Sequence, residues 1–594
     1  MKRILILAAA AGAALLPGAV SAQIGKQVEV TKTYVPSVER APKLAIQPDM
    51  TDTVRMRPEI DYRITPLALT TTLATRPIRP ATVTYWEFNR PLPFYLKLGG
   101  GYPANSALDC YVSTQQAGIG YAMAYVNHEG WWGRIRNDAG ECARALRTTN
   151  RVGVAAGKYF GRRSLEGEVS YENRLYDRYG GFRVGEDPNT LSAMRGDRPT
   201  YGSFDARFRF GDDFTDLSRT NFRIGIHAEH FRYNPGEGYS EPVWFDAGRS
   251  VAMPLGLENT LGGEAAVARR LGGHVLSLEA SYDWRDGSKS LSGNRATQLR
   301  AAARYGFRVR SVDLTLGLDY YWLHNRWRES SATTDGGEKY GMKKNSLYFV
   351  PYARLRFDLG NGQFVPFAEA DGQVAENTFA ALSRLNPYVA DNAWEPRSTV
   401  DYNVRLGVGG SLAGGKVAYR FYVGFTFTEN ALAWYCLQSE PVGFIPVTGR
   451  RNAVSFNGEL EIRPVNNLLF TLAAHGYDYS DRTGYCTGLP QFRGDASVRY
   501  THRKFAFGVS AAVRSVRFWS VMAAQPYSAD PAHLEEVPFK VPFTVDLRAF
   551  ADWHVTPRTT LFAEGRNLAN ARLYEWPGYP EYGAGFTAGV RIDF

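Results

Sequence analysis

Gly565-Arg566-Asn567-Leu568-Ala569-Asn570, then Tyr574, Gly578-Tyr579-Pro580, and a closing run of Ala584, Phe586, Ala588, Val590, Ile592 and Phe594 end this 594-residue chain. The closing run interleaves its apolar residues with Gly585, Thr587, Gly589, Arg591 and Asp593. Successive side chains of a strand point to opposite faces, so this stretch presents one face suited to hydrocarbon and one suited to water. It is a strand pattern, and its two-sided character raises the question of which compartment the chain occupies.

The opposite end answers that question. Lys2 and Arg3, an apolar core from Ile4 to Leu16, and Val20-Ser21-Ala22 form an export signal over residues 1–22, with the mature chain expected to begin at Gln23. Removing Lys2 and Arg3 from the 69 basic residues leaves 67 against 59 acidic ones, a mature charge of +8. That balance suits lipopolysaccharide phosphates or anionic solutes as partners. Tyr, Phe and Trp number 35, 33 and 12, yet mean hydropathy is negative. No later apolar run approaches the roughly 18 residues of a membrane helix. Half-apolar strands that average out as polar fit instead, which makes the chain a candidate barrel of the bacterial cell outer membrane.

The stretch from Phe94 supports this reading. Val312, Leu314, Leu316, Leu318, Tyr320 and Trp322 share one face; Val417, Tyr419, Phe421, Val423, Phe425 and Phe427 share another; Phe543, Val545, Leu547, Ala549, Ala551 and Trp553 a third. Tyr320, Trp322 and Trp553 stand where interfacial girdles are expected. Short turns such as Leu271-Gly272-Gly273, Asn361-Gly362 and Thr501-His502-Arg503 alternate with long connections near 286–294, 324–342, 374–397, 430–450, 480–489 and 517–541. Counting with this parity predicts an all-β, closed antiparallel transmembrane barrel of about 22 strands, with short periplasmic turns and long extracellular loops. Val243 to Met253 is strand-like but fits better within a long outer loop.

The ending resembles the last hairpin of TonB-dependent receptors, in which a Gly-Arg-Asn-Leu-like turn precedes a Gly-Tyr-Pro loop and a final strand ending in Phe. The resemblance covers residues 94–594. It implies solute uptake across the outer membrane with energy delivered through TonB. It also marks Phe586, Val590, Ile592 and Phe594 as the C-terminal sorting signal read by the barrel-assembly machinery. Receptors of this family carry a globular plug of well over a hundred residues ahead of the barrel. Here residues 23–93 hold nine prolines and no sustained periodicity, so a full plug is not expected. Gln27-Val28-Glu29-Val30-Thr31 is only loosely similar to the family's coupling box. The expectation is that the proline-rich segment, together with inward-folded outer loops, fills the lumen; a surface lipoprotein or a separate plug protein is the other candidate. The competing function is an accessory, scaffold-like barrel of an assembly, secretion or surface-lipoprotein complex.

Few residues invite chemistry. Cys436 and Cys486 fall in neighbouring outer loops and are candidates for a disulfide, as are Cys110 and Cys142. His128-Glu129, His274, His475 and His554 are isolated, and no metal spacing, nucleophile elbow or phosphate loop occurs. No catalytic residue, cofactor, metal or nucleic acid is therefore expected. Asp313, Asp319, Arg420, Asp546, Arg548, Asp552, Glu564, Arg566 and Arg591 are expected to point inward. Trp131-Trp132 and Trp394 are outer-loop aromatics suited to ligand contact or to loop packing.

Overall fold

The computed structural model describes residues 93–181, 198–234, 256–326, 343–437, 443–481, 488–524 and 534–594, apart from 117, 290, 292, 293, 361 and 390–396. The export signal, the proline-rich segment up to residue 92 with Gln27–Thr31, Val243–Met253, Trp394 and Cys486 lie outside the described residues.

The alternating segments form the strands of one closed antiparallel barrel of 22 strands. Each strand pairs with its neighbours in the chain, as short hairpin connections require. Phe94–Tyr102 pairs with Asn105–Gln116 on one side and with the final strand, Gly585–Asp593, on the other. Reciprocal backbone bonds between Phe94 and Phe594 (2.9 and 3.0 Å) complete the seam. Closure joins the first strand to the last and leaves the wall without a free edge strand. Among the described residues no helix is long and apolar enough to cross a membrane, which says nothing of strands.

Parity sorts the side chains. Val154, Ile226, Leu278, Phe349, Phe456 and Phe507 are exposed on the outer face, which a membrane would cover. The nine charged residues expected inside do face the lumen. Lys97 meets Glu564 at 3.1 Å, Arg420 meets Glu369 at 3.1 Å and Arg591 meets Asp552 at 3.4 Å. Asp319 receives both Arg300 (2.9 Å) and Arg304. The wall thus carries its own counter-charges. This apolar exterior and charged interior make the chain an integral barrel of the outer membrane.

Two strands depart from the expected lengths. Val417–Leu437 and Gly443–Val465 run 21 and 23 residues, where 9–11 cross a bilayer. Their outer halves lie within what the sequence pattern marked as a long loop, which reduces that connection to residues 438–442. A bulge between Thr428 and Ala431, with Asn430 at φ 49°, interrupts the register where the extension begins. Bulges bend the strand that contains them. Beyond it, Cys436 and Leu437 pair in parallel with Val521 and Met522 of a hairpin, Arg517–Ala524 and Leu534–Val541, that fills another expected loop. On the far side Val389 bridges Phe444. A small sheet of outer segments therefore lies against the barrel mouth. It brings the continuous sheet to 24 strands in all.

The 374–397 connection contains a further element that periodicity did not reveal, the helix Phe379–Leu385. Thr378 caps it by accepting from the Ala381 amide at 3.0 Å, and the Phe379 amide donates to Glu258 on the wall at 3.0 Å. At its other end Arg384 is held by Glu229 and by Ser203 (3.1 Å). The helix is strapped to the wall at both ends by charged groups.

Candidate functional site

The outer segments share one apolar core. Phe379 and Leu382 of the helix, Val389, Phe444, Val541 and Tyr579 are each 2% exposed or less. Trp434, Cys436, Trp519 and Tyr574 complete it, on a floor of Tyr201, Phe231 and Tyr233 from the wall. Tyr579, from the Gly-Tyr-Pro loop, is the central ring. It stacks on Tyr388 at 3.7 Å and 14° and meets Tyr179 edge-on at 5.2 Å. Trp576 of the same loop sits 5.4 Å from Trp434, 5.2 Å from Phe444 and 5.3 Å from Trp519. Aromatic pairs in such geometry contribute beyond their buried area. The loop that suggested a family in the sequence is structurally the keystone of a cap over the barrel mouth.

The keystone has little slack. Gly578 turns the loop at φ 77°, a conformation that side chains with a Cβ resist. A Cβ on Gly180 would lie 2.4 Å from the Tyr579 ring. Gly180→Ala is therefore expected to displace Tyr579 and loosen the cap without touching the wall, since overpacking costs about 1–3 kcal/mol. Faster trypsin cleavage of the outer loops, with unchanged heat-modifiable migration of the barrel, is the expected pattern; identical proteolysis would contradict it.

Beneath the cap, at the outer end of the lumen, lies a chamber of about 590 Å³. Arg147, Arg493, Arg514, Arg517, Arg548 and Arg566 line it, against Asp495, Asp546, Glu575 and Glu581. Two of these arginines are committed. Arg548 donates to Asp546 at 2.7 Å; Arg566 pairs with Glu129 at 3.4 Å and lies 4.8 Å over the Trp131 ring. Arg517, 5% exposed, donates to the Tyr574 carbonyl at 2.6 Å.

Glu575 belongs to the keystone loop. Burial, then the charge of Glu581, pushes its carboxyl up to about 7, against the pull of Arg514, Arg147 and Arg517. The free loop would titrate near the ordinary carboxylate value, so the closed cap binds the proton more tightly than the open one. Its contribution is complete below that ordinary value and is lost as pH rises through about 7. Tryptophan emission is expected to shift to the red between about pH 5.5 and about pH 8.5, and Glu575→Gln to flatten that curve. A wild-type spectrum constant over the same window would contradict the assignment.

The remaining candidates are accounted for locally. His128 bonds Ser106 and Asn150 (both 2.6 Å), His274 bonds Tyr305 (2.6 Å), His475 bonds Asn457 (2.7 Å) and His554 bonds Thr560 (2.8 Å). Among the described residues no three His, Cys, Asp or Glu side chains converge as metal ligands would. Trp131 is buried against Tyr582 at 5.4 Å and serves loop packing, whereas Trp132 is exposed. Cys110 and Cys142 carry free thiols. The register aligns Cys110 with Leu96 and Val126 on the lipid-facing parity of the wall, away from Cys142 in the outer hairpin, and the structure does not join them. Cys436 is fully buried in the cap and is likewise a free thiol. Arg493 and Arg514 were not among the residues singled out, because only strand register shows that they stand opposite one another.

The sequence matches no family profile and no curated protein. The fold does have solved counterparts. The copper transporter OprC is 12% identical at a TM-score of 0.62, covering 84% of this chain and 80% of its own. The FrpB iron transporter from Neisseria meningitidis (F5-1 variant) is 12% identical at 0.62, covering 85% and 83%. The pyoverdine outer membrane receptor FpvA from Pseudomonas aeruginosa PAO1 is 11% identical at 0.60, covering 85% and 79%. The architecture is that of TonB-dependent receptors, as the C-terminal pattern indicated.

Proposed function

We propose that this chain is an uptake barrel of the outer membrane whose permeation path is shut by its own outer loops. The observation that carries this reading is the fully buried aromatic cap seated over a solute-sized chamber. A barrel of 22 strands with an unfilled lumen would breach the permeability barrier. A cap built from loop segments closes it and can also be lifted, because loops are joined to the wall by non-covalent straps. The structural counterparts carry different cargoes by name, copper, iron and a pyoverdine, so what they share is the barrel rather than a ligand.

In this reading outer-membrane lipid and lipopolysaccharide surround the wall. Phe586, Val590, Ile592 and Phe594, on the lipid-facing parity of the last strand, serve the assembly machinery during insertion. The proline-rich segment 23–93 adds a second occlusion from the periplasmic side and is where TonB would act. Planar bilayers test the reading. The intact chain is expected to be nearly silent, and removal of residues 23–93 to leave the outer mouth closed but unsupported, with brief openings. A large steady conductance from the intact protein would overturn it. The accessory-barrel reading draws on the density of the cap, which would suit permanent closure; stable co-purification with assembly machinery and silence under every condition would favour it.

A further inference from the structure

Much of the lumenal wall neutralises its cations, although Arg356 and Arg499 also face inward without an ion pair among the described residues. Arg300 and Arg304 share Asp319, Arg405 has Asp371, and Arg420 has Glu369. At the chamber this rule fails. Arg493 and Arg514 are direct cross-strand partners on Phe492–His502 and Phe505–Arg514, both on the lumenal parity. Like charges opposite one another destabilise a strand pair, yet among the described residues neither arginine forms an ion pair. Arg147 forms no direct ion pair among the described residues either, but Glu129 and Glu581 compensate its charge from a distance. The Nε of Arg493 is buried without a partner, as is the Nε of Arg517, whose side chain is itself almost wholly buried. An uncompensated group of this kind is costly unless something else supplies the negative charge.

We propose that the chamber beneath the cap is an anion-binding site for a solute bearing several carboxylate or phosphate groups, with Arg493 and Arg514 as its fixed cation pair and Glu581 as a placeholder in the closed state. The proposal rests on the uptake reading and specifies its substrate class. Guanidinium forks match carboxylate and phosphate oxygens, which is why arginine rather than lysine suits such a wall. Glu575 and Glu581 lie near enough to act electrostatically on Arg147 and Arg517, and Glu575 on Arg514 as well, but none of these pairs is in ion-pair contact. They reduce the repulsion without satisfying it. Both belong to the keystone loop, and with Glu575 protonated in the closed cap it is the Glu581 carboxylate that an incoming anion displaces, which favours cap opening. Tyr477 and Tyr479, stacked at 5.6 Å and 10° on the chamber wall, offer a flat surface for a ring. The volume is that of an ordinary small-ligand site.

Calorimetric titration of the purified full-length chain in detergent at low salt tests the assignment, using citrate, inositol hexakisphosphate and uncharged inositol as probes. Binding of either anion, with none of inositol, is expected. The citrate and hexakisphosphate arms separate carboxylate from phosphate preference. R493Q/R514Q is expected to weaken binding by at least about tenfold, and E575Q/E581Q to tighten it several-fold, because no loop carboxylate competes at any pH. Unchanged heat-modifiable migration confirms that each variant is folded, and R493K/R514K, which keeps the charge, is expected to lose less. Anion affinity indifferent to R493Q/R514Q, equal binding of inositol, or no anion binding by wild type and E575Q/E581Q alike would overturn the site. Such a result would leave the capped-barrel reading to the bilayer experiment, and the converse failure there would leave the anion site standing.

Discussion

Replacing Phe444 and Tyr579 together by alanine is expected to convert a silent barrel into one with a large, steady conductance. Both side chains are buried in the cap, and both meet segments that come from different parts of the wall. Phe444 touches Trp576 and Tyr579; Tyr579 touches Tyr179 and Tyr388. Truncating a buried Phe costs about 3–5 kcal/mol. The cap is a set of loops rather than a domain with its own continuous chain, so it has no other core to fall back on. The two residues are neighbours, so their effects are not expected to add; each single variant should give flickering openings and the pair a stable one. The strands below are held by their own ladder, and the heat-modifiable migration of the barrel should not change. Planar-bilayer recordings decide the matter. If the double variant stays as silent as the parent, closure resides in residues 23–93 rather than in the loops.

The wall was legible because the membrane imposes a simple code. Alternation in segments such as 312–322 and 543–553 fixed both strand positions and the faces of their side chains, and the nine charges assigned to the lumen are there. The cap was not legible, for three physical reasons. The extension of Val417–Leu437 passes a bulge at Asn430 that breaks the register, and beyond it consecutive residues Ala433 and Trp434 are both buried because the segment is covered on two faces. Period-two reasoning assumes one wet face and fails there. The helix Phe379–Leu385 spans about two turns, too short for a 3.6-residue period to emerge. The chamber depends on cross-strand register between Arg493 and Arg514, a relation between segments that no single segment encodes.

Asp319→Asn is expected to be the most destabilising single change in the wall. Asp319 is 3% exposed and receives Arg300 at 2.9 Å and Arg304 at close range. Arg300 retains Glu279 at 3.2 Å, but Arg304 is left with the Ala303 carbonyl at 3.2 Å and the Tyr352 ring at 4.3 Å. Removing one partner of a buried pair leaves an uncompensated charge and costs about 3–5 kcal/mol. A lowered urea midpoint for loss of the barrel's far-UV signal in detergent measures it. Asp313→Asn is the control. It removes the same charge from the same strand, but its partner Arg308, at 2.5 Å, is about half exposed at the rim, where an ion pair contributes about 1 kcal/mol or less. Equal shifts in the two variants would mean that water reaches Asp319 as freely as the rim, and that the lumenal network is solvated rather than structural. A large difference would carry a consequence for the other side of the barrel. A wall in which one missing carboxylate is so costly keeps Arg493 and Arg514 opposed and unpaired only if a ligand's charge repays the strain, so Arg493→Gln should be neutral or stabilising to the empty protein even as it weakens anion binding.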